Sequence, residues 1–197
     1  DATFTPHGGS LGHLIEFIKE FSESYSKSDL ILYTKKENIR VIGDDVVSKC
    51  TLKIVTIASY GNFFRVLWGQ FILPVSSRIN NIDILFCPGN ISPILKTTKI
   101  KAQWIATIGP FSKDVYAVLG LRDKLHHLVN KYFKDVDIVH HLAGVTQVPR
   151  TKSESNKEID ENIKLVGEKG TQNILDAISD KCKIIFPSTH VVYEGVE

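Results

Sequence analysis

Short apolar runs of strand length alternate with helix-like runs along almost the whole chain, and this alternation narrows the fold more than any other feature. DLILYT (29–34), LKIVTIA (52–58), DILFCPG (83–89), AQWIATIG (102–109), DIVHHLAG (137–144) and KIIFPST (183–189) read as strands. Leu11, Leu14, Ile15, Ile18 and Phe21 recur at helical spacing, as do Leu125, Leu128, Val129, Tyr132 and Phe133. Asn62 is placed to cap a helix carrying Phe63, Phe64, Leu67 and Phe71, which Pro74 then limits. After a polar stretch at 146–157 that reads as a loop, Ser155 and Glu158 have capping-box spacing. They precede Ile159, Ile163, Val166, Ile174 and Ile178, again at helical spacing. Strands separated by helices predict a mostly parallel sheet joined by crossover helices.

The chain has 197 residues, enough for one large domain or two small ones, and 43% hydrophobic content supports an ordinary core. With 24 basic and 22 acidic residues it lacks the charge footprint of a nucleic-acid binder. Cys50, Cys87 and Cys182 are odd in number and far apart, which fits reduced thiols in a cytosolic protein. No apolar run is long enough to cross a bilayer, and no signal peptide opens the sequence. Met is absent, and Asp1-Ala2-Thr3 leads directly into a glycine turn, where an α/β protein would be finishing its first strand. We read this as an excised or rearranged fragment, with a chance omission as the other reading. His140 and His141 are strand neighbours and so face opposite ways, while His126 and His127 lack i, i+4 spacing. With no carboxylate pattern beside them, no metal site is expected.

Several pieces of the first two thirds carry a family likeness. They are Gly8-Gly9-Ser10 opening a helix, Arg65-x-Leu67-Trp68-x-Gln70-x-x-Leu73-Pro74, Asp83-Ile84-Leu85-Phe86 leading to Pro88-Gly89-Asn90 and Pro93, and Ile108-Gly109-Pro110-Phe111. Their order and spacing resemble the N-terminal domain of family 4 glycosyltransferases over residues 1–134. A glycine pair at a strand-to-helix turn lets phosphate approach backbone N–H groups at a helix N-terminus. The resemblance implies that Gly8, Gly9, Ser10 and Asn90 form a donor loop facing a nucleotide-sugar. The plain alternative is a tight turn at Gly8-Gly9 and an ordinary turn residue at Asn90. The acidic E-x7-E motif of the family's nucleotide-binding half does not occur. Related enzymes often sit on membrane surfaces, so a peripheral position joins the expectations, weakly, since the helix carrying Arg65 and Trp68 has little basic charge.

From residue 135 to 197 the likeness changes. His141-Leu142-Ala143-Gly144, the segment Val166–Thr171 and Ser188-Thr189-His190-Val191-Val192-Tyr193-Glu194-Gly195 resemble an extended short-chain dehydrogenase/reductase of the NAD-dependent epimerase/dehydratase type. The resemblance implies cofactor contacts at Leu142, Ala143, Gly144 and Ser188, with NAD as the cofactor. It also implies that Thr189 hydrogen-bonds a substrate hydroxyl. Gly167 stands where that family usually has Asn. Neither a Tyr-x-x-x-Lys pair nor a full G-x-x-G-x-x-G loop is present; Gly9-Ser10-Leu11-Gly12 is a partial stand-in, and Tyr193 is not the catalytic tyrosine by position.

Both families use a Rossmann-like open, mostly parallel sheet with helices on both faces, and that α/β architecture is the fold expected here. The second segment would continue the sheet of the first, with two half-domains as the alternative. Losing a central first strand would expose strand edges. Three functions follow: ancestral glycosyl transfer from a nucleotide-sugar, an NAD-dependent nucleotide-sugar epimerase/dehydratase, or an inactive hybrid or interaction module. The first two belong to polysaccharide or surface-glycan biosynthesis in the cytoplasm. The sequence sets neither the sugar, the acceptor nor the oligomeric state.

Overall fold

The computed structural model describes residues 1–3, 9–89, 91–105, 133–142 and 164–186. Among the described residues the chain is α/β, and every strand pairing is parallel. In order, the regular elements are helix α1 (Gly9–Ser24), strand β1 (Ile31–Thr34), helices α2 (Lys36–Ile42) and α3 (Asp44–Val47), and strand β2 (Thr51–Ile54). A helical rod follows, made of α4 (Asn62–Leu67), a π turn (Trp68–Ile72) and α5 (Leu73–Ile79). Strands β3 (Ile84–Cys87), β4 (Ile100–Ile105) and β5 (Ile138–His141) come next, then a π turn (Lys164–Lys169), helix α6 (Gly170–Ala177) and strand β6 (Lys183–Ile185).

β1 and β2 form one parallel pair, and β3-β4-β5-β6 form a four-stranded parallel sheet in that order. The strands drawn from the two resemblances therefore share a sheet: Ala102 pairs with Ile138 and Trp104 with His140. Asp137 anchors this join. Its carboxylate accepts the Lys101 N–H at 2.7 Å and Lys96 Nζ at 2.5 Å, while its carbonyl accepts the Lys183 N–H at 2.8 Å. Burial works against ionisation of this carboxylate, but the Lys96 and Lys101 hydrogen bonds outweigh it and hold the pKa below its ordinary value.

Residues 1–3 link the two sheets. Ala2 donates its N–H to Tyr33 O at 2.7 Å, and the Asp1 amino group donates to Phe86 O at 2.6 Å. The Ala2 carbonyl is met by Asn38 Nδ2 at 3.0 Å and Thr34 Oγ1 at 3.4 Å. Ala2 and Thr3 are fully buried. The expected exposed edge between β1 and β3 is thus closed at the carboxyl end of those strands, by three residues and two side chains.

The core follows from strand alternation, since neighbouring strand residues point opposite ways. Leu32 and Trp104 pack with Leu14, Ile18, Ile42 and Val46, and Phe86 joins that cluster. Tyr33, Leu85 and Cys87 pack instead with Trp68, Leu73, Val55 and Ala58. Ile105, Val136 and Val139 meet Ile174 of α6.

Three local expectations need correction. Pro74 does not end its helix. The π turn just before it pairs Leu73 N–H with Trp68 O, so Pro74 enters α5 at its first turn, where a missing N–H costs little. The N-cap position belongs to Gly61 rather than Asn62, with φ at +117°. The strand read at 102–109 begins two residues earlier and is described only to Ile105.

α2 and α3 meet at Gly43, whose φ of +97° is left-handed and whose added Cβ would lie 2.7 Å from Asp45 Oδ1. Gly43→Ala is expected to cost about 1–3 kcal/mol of stability through backbone strain, read as a lowered urea midpoint at unchanged slope.

Candidate functional site

The chain passes outward through β1 and β2 on one side of residues 1–3 and through β3 to β6 on the other. This reversal makes a topological switch point, and open α/β sheets bind ligands at the carboxyl ends of strands beside such a point. α1 opens there. It starts at Gly9, runs 16 residues and has no acidic residue in its own first turn, at the end where a helix dipole favours negative charge. The backbone of Gly9 and Ser10 lies in that turn. Gly12 is exposed, and a Cβ built on it meets nothing within 4 Å, so packing does not require glycine at that position.

Leu142 extends β5 by donating its N–H to Ile105 O at 2.8 Å, and it packs against the cluster that holds α1. One residue from each resemblance, Leu142 and Leu11, therefore borders the same core at the same edge of the sheet. Gly8, Asn90, Ala143, Gly144, Ser188 and Thr189 lie outside the described residues.

The two histidines divide as strand geometry requires. His140 turns toward Trp104, ring centroids 6.1 Å apart, with His13 of α1 at 5.9 Å from the same indole. His141 points the other way, is 2% exposed, and shares a 3.0 Å hydrogen bond through Nε2 with Thr171 Oγ1. Its other ring nitrogen has no partner, and Phe186 meets it edge-on at 4.9 Å. Burial lowers the pKa of both histidines, and the charge of His13 lowers His140 further.

Two residues of β4 that the sequence reading passed over share the His141 side. Gln103 is 1% exposed, yet neither its Oε1 nor its Nε2 has a partner. Lys101 is equally buried and donates Nζ to Pro93 O at 2.8 Å; burial lowers its pKa, and nearby Asp135, Cys87 and Asp137 oppose that. The signal was present in IKAQWI, where two polar residues occupy alternate positions of an otherwise apolar strand. Chemically, the amide, imidazole and hydroxyl groups offer neutral hydrogen bonding. Among the described residues no three His, Cys, Asp or Glu side chains gather as metal ligands.

Two outcomes test this description. Thr171→Val is expected to cost about 1–3 kcal/mol, because it leaves buried His141 without a partner at either nitrogen; thermal denaturation at pH 7.5 measures it. The histidine pKa values are lowered in the fold, so their contribution to stability is complete above the ordinary imidazole value of about 6.5 and fades as pH falls through the folded values. The melting midpoint should therefore drop between about pH 7 and pH 5, and combining His140→Gln with His141→Gln should flatten that slope.

Comparison with protein-family models, curated proteins and solved structures finds no match to this chain, so the reading of the site rests on the geometry above.

Proposed function

We propose that the chain binds a nucleotide-sugar at the carboxyl edge of its sheet, in the cytoplasm, and descends from a glycosyltransferase of polysaccharide or surface-glycan biosynthesis. The observation that carries this reading is the start of α1 at a switch point with no acid in its first turn. A pyrophosphate is the ligand group such a helix end favours. The sequence holds neither E-x7-E nor Tyr-x-x-x-Lys, so binding rather than turnover is the property proposed for this chain.

A second reading is favoured by one contact. His141 and Thr171 come from the two described segments that resemble the epimerase/dehydratase family, and they are hydrogen-bonded to each other. That contact supports NAD as ligand at the β5 end. An inactive hybrid is the third reading. Among the described residues no helix is long and apolar enough to cross a membrane.

Thermal-shift titration with UDP-glucose, GDP-mannose and NAD separates the three. A ligand that binds only the folded state at a hundred times its Kd adds about 2.7 kcal/mol. A rise with a sugar nucleotide alone is the expected result. A rise with NAD alone selects the second reading, and a cooperative melt with no shift selects the third. Gly12→Ala sharpens the assignment. It should stabilise the free chain by up to about 1 kcal/mol through helix propensity. It should also abolish the sugar-nucleotide shift, because its methyl touches only what approaches the helix end.

A further inference from the structure

The rod from Asn62 to Ile79 buries one side and leaves the other strongly apolar. Trp68, Leu73, Pro74 and Ser77 face inward. Phe63, Phe71, Val75 and Ile79 are exposed, Phe71 by 67% and Ile79 by 72%, and Tyr60 precedes them at 70%. Phe64 and Ile72 are exposed to a lesser degree. Leu67, Phe71, Val75 and Ile79 recur every fourth residue, a wider spacing than the 3.6 of an α-helix. The π turn within that span takes up the difference and keeps them on one side.

We infer that this face pairs with the same face of a second copy of the chain across a twofold axis near Phe71. Three observations select that occupant. The first is area. With full surfaces of roughly 150–250 Å² per aromatic and somewhat less per aliphatic side chain, the exposed parts of the seven come to about 800 Å². That is the share of one partner in a standard interface of about 1,600 Å². The second is self-complementarity, which an isologous interface requires. Counting outward from Phe71, Phe63 and Ile79 stand eight positions to either side, Phe64 and Arg78 seven, and Leu67 and Val75 four. An antiparallel pair therefore sets aromatic against aliphatic at each end, Phe71 against its own copy, and the exposed Arg78 beside the Phe64 ring, a cation–π geometry. The third is charge. No Asp or Glu occurs from Thr51 to Ile82, so the rod brings no carboxylate of its own to the interface, and Glu37, which accepts from Ser59 Oγ at 2.9 Å, is the acid on the Tyr60 side. Only Arg65 and Arg78 are basic within the rod, fewer cations than a membrane-surface helix uses.

Sedimentation velocity of the whole chain across about 1 to 100 µM, loadings that span the µM dissociation constants of weaker interfaces of this size, tests the inference. The expected species has twice the 22.1 kDa of one chain. Phe71→Glu should weaken association at least tenfold with an unchanged melting curve, and Phe71→Leu should retain the dimer. Val75→Glu is the second variant, should Phe71→Glu fail to fold. A wild-type chain that stays monomeric throughout overturns the inference, as does a dimer indifferent to both glutamates. So does a monomer that floats with anionic vesicles of phosphatidylserine and phosphatidylcholine and loses that binding on Phe71→Glu, which would assign the face to a lipid surface.

Discussion

Three residues at the head of the chain hold its two sheets together. β1 and β3 lie at the ends of their two sheets, and neither pairs with the other. Asp1 and Ala2 supply the hydrogen bonds, one to Phe86 O and one to Tyr33 O. The Ala2 carbonyl, left over from that arrangement, is taken by Asn38 and Thr34 rather than by a further strand. Packing against Trp104 and Phe86 fixes α1.

Asp137 does comparable work at the other join. It is the first residue of the segment resembling the dehydrogenase family that takes part in the sheet. Its side chain reaches back to the amide of Lys101 while its main chain reaches forward to Lys183. The carboxylate thus ties the start of β5 to β4, the main-chain carbonyl ties it to β6, and the paired cation from Lys96 keeps the carboxylate ionised. The hydrophobic contribution comes from Ile105, Val136, Val139 and Ile174, which close over the join from above. The four strands β3 to β6 share one sheet because parallel pairing asks only for backbone and burial.

Much of the fold was legible because it depends on periodicity. α1 was readable from Leu11 to Phe21, and each described strand falls on an apolar run, within a shift of a few residues. α2 and α3 were not read. Ile39, Ile42 and Val46 do stand at helical i, i+3 and i+7 spacing, but the run is short, and Gly43, in the left-handed region, splits it into helices of seven and four residues. Pro74 misled for a related reason: the rule that proline stops a helix presumes α geometry in the turn before it, and here that turn is π. The opposite facing of His140 and His141 was readable from strand geometry alone. Their partners were not, because Thr171 lies thirty residues away and Gln103 looks like any outward residue until the sheet is covered.

The π turn in the rod has a consequence for how this helix accommodates Pro74. A π turn holds one residue more than the α-helical turn it replaces, so it behaves as an insertion carried inside a helix. Removing one residue between Trp68 and Ile72 would restore α geometry yet leave Val75 and Ile79 on the side of Phe63 and Phe64, because the residue lost is the one the π turn absorbs. Pro74 would then lie inside a regular helix, opposed to the carbonyl four residues before it. The extra residue therefore serves the backbone at Pro74 rather than the apolar face, and a lineage that lost it would keep the face while setting the proline ring against an α-helical turn.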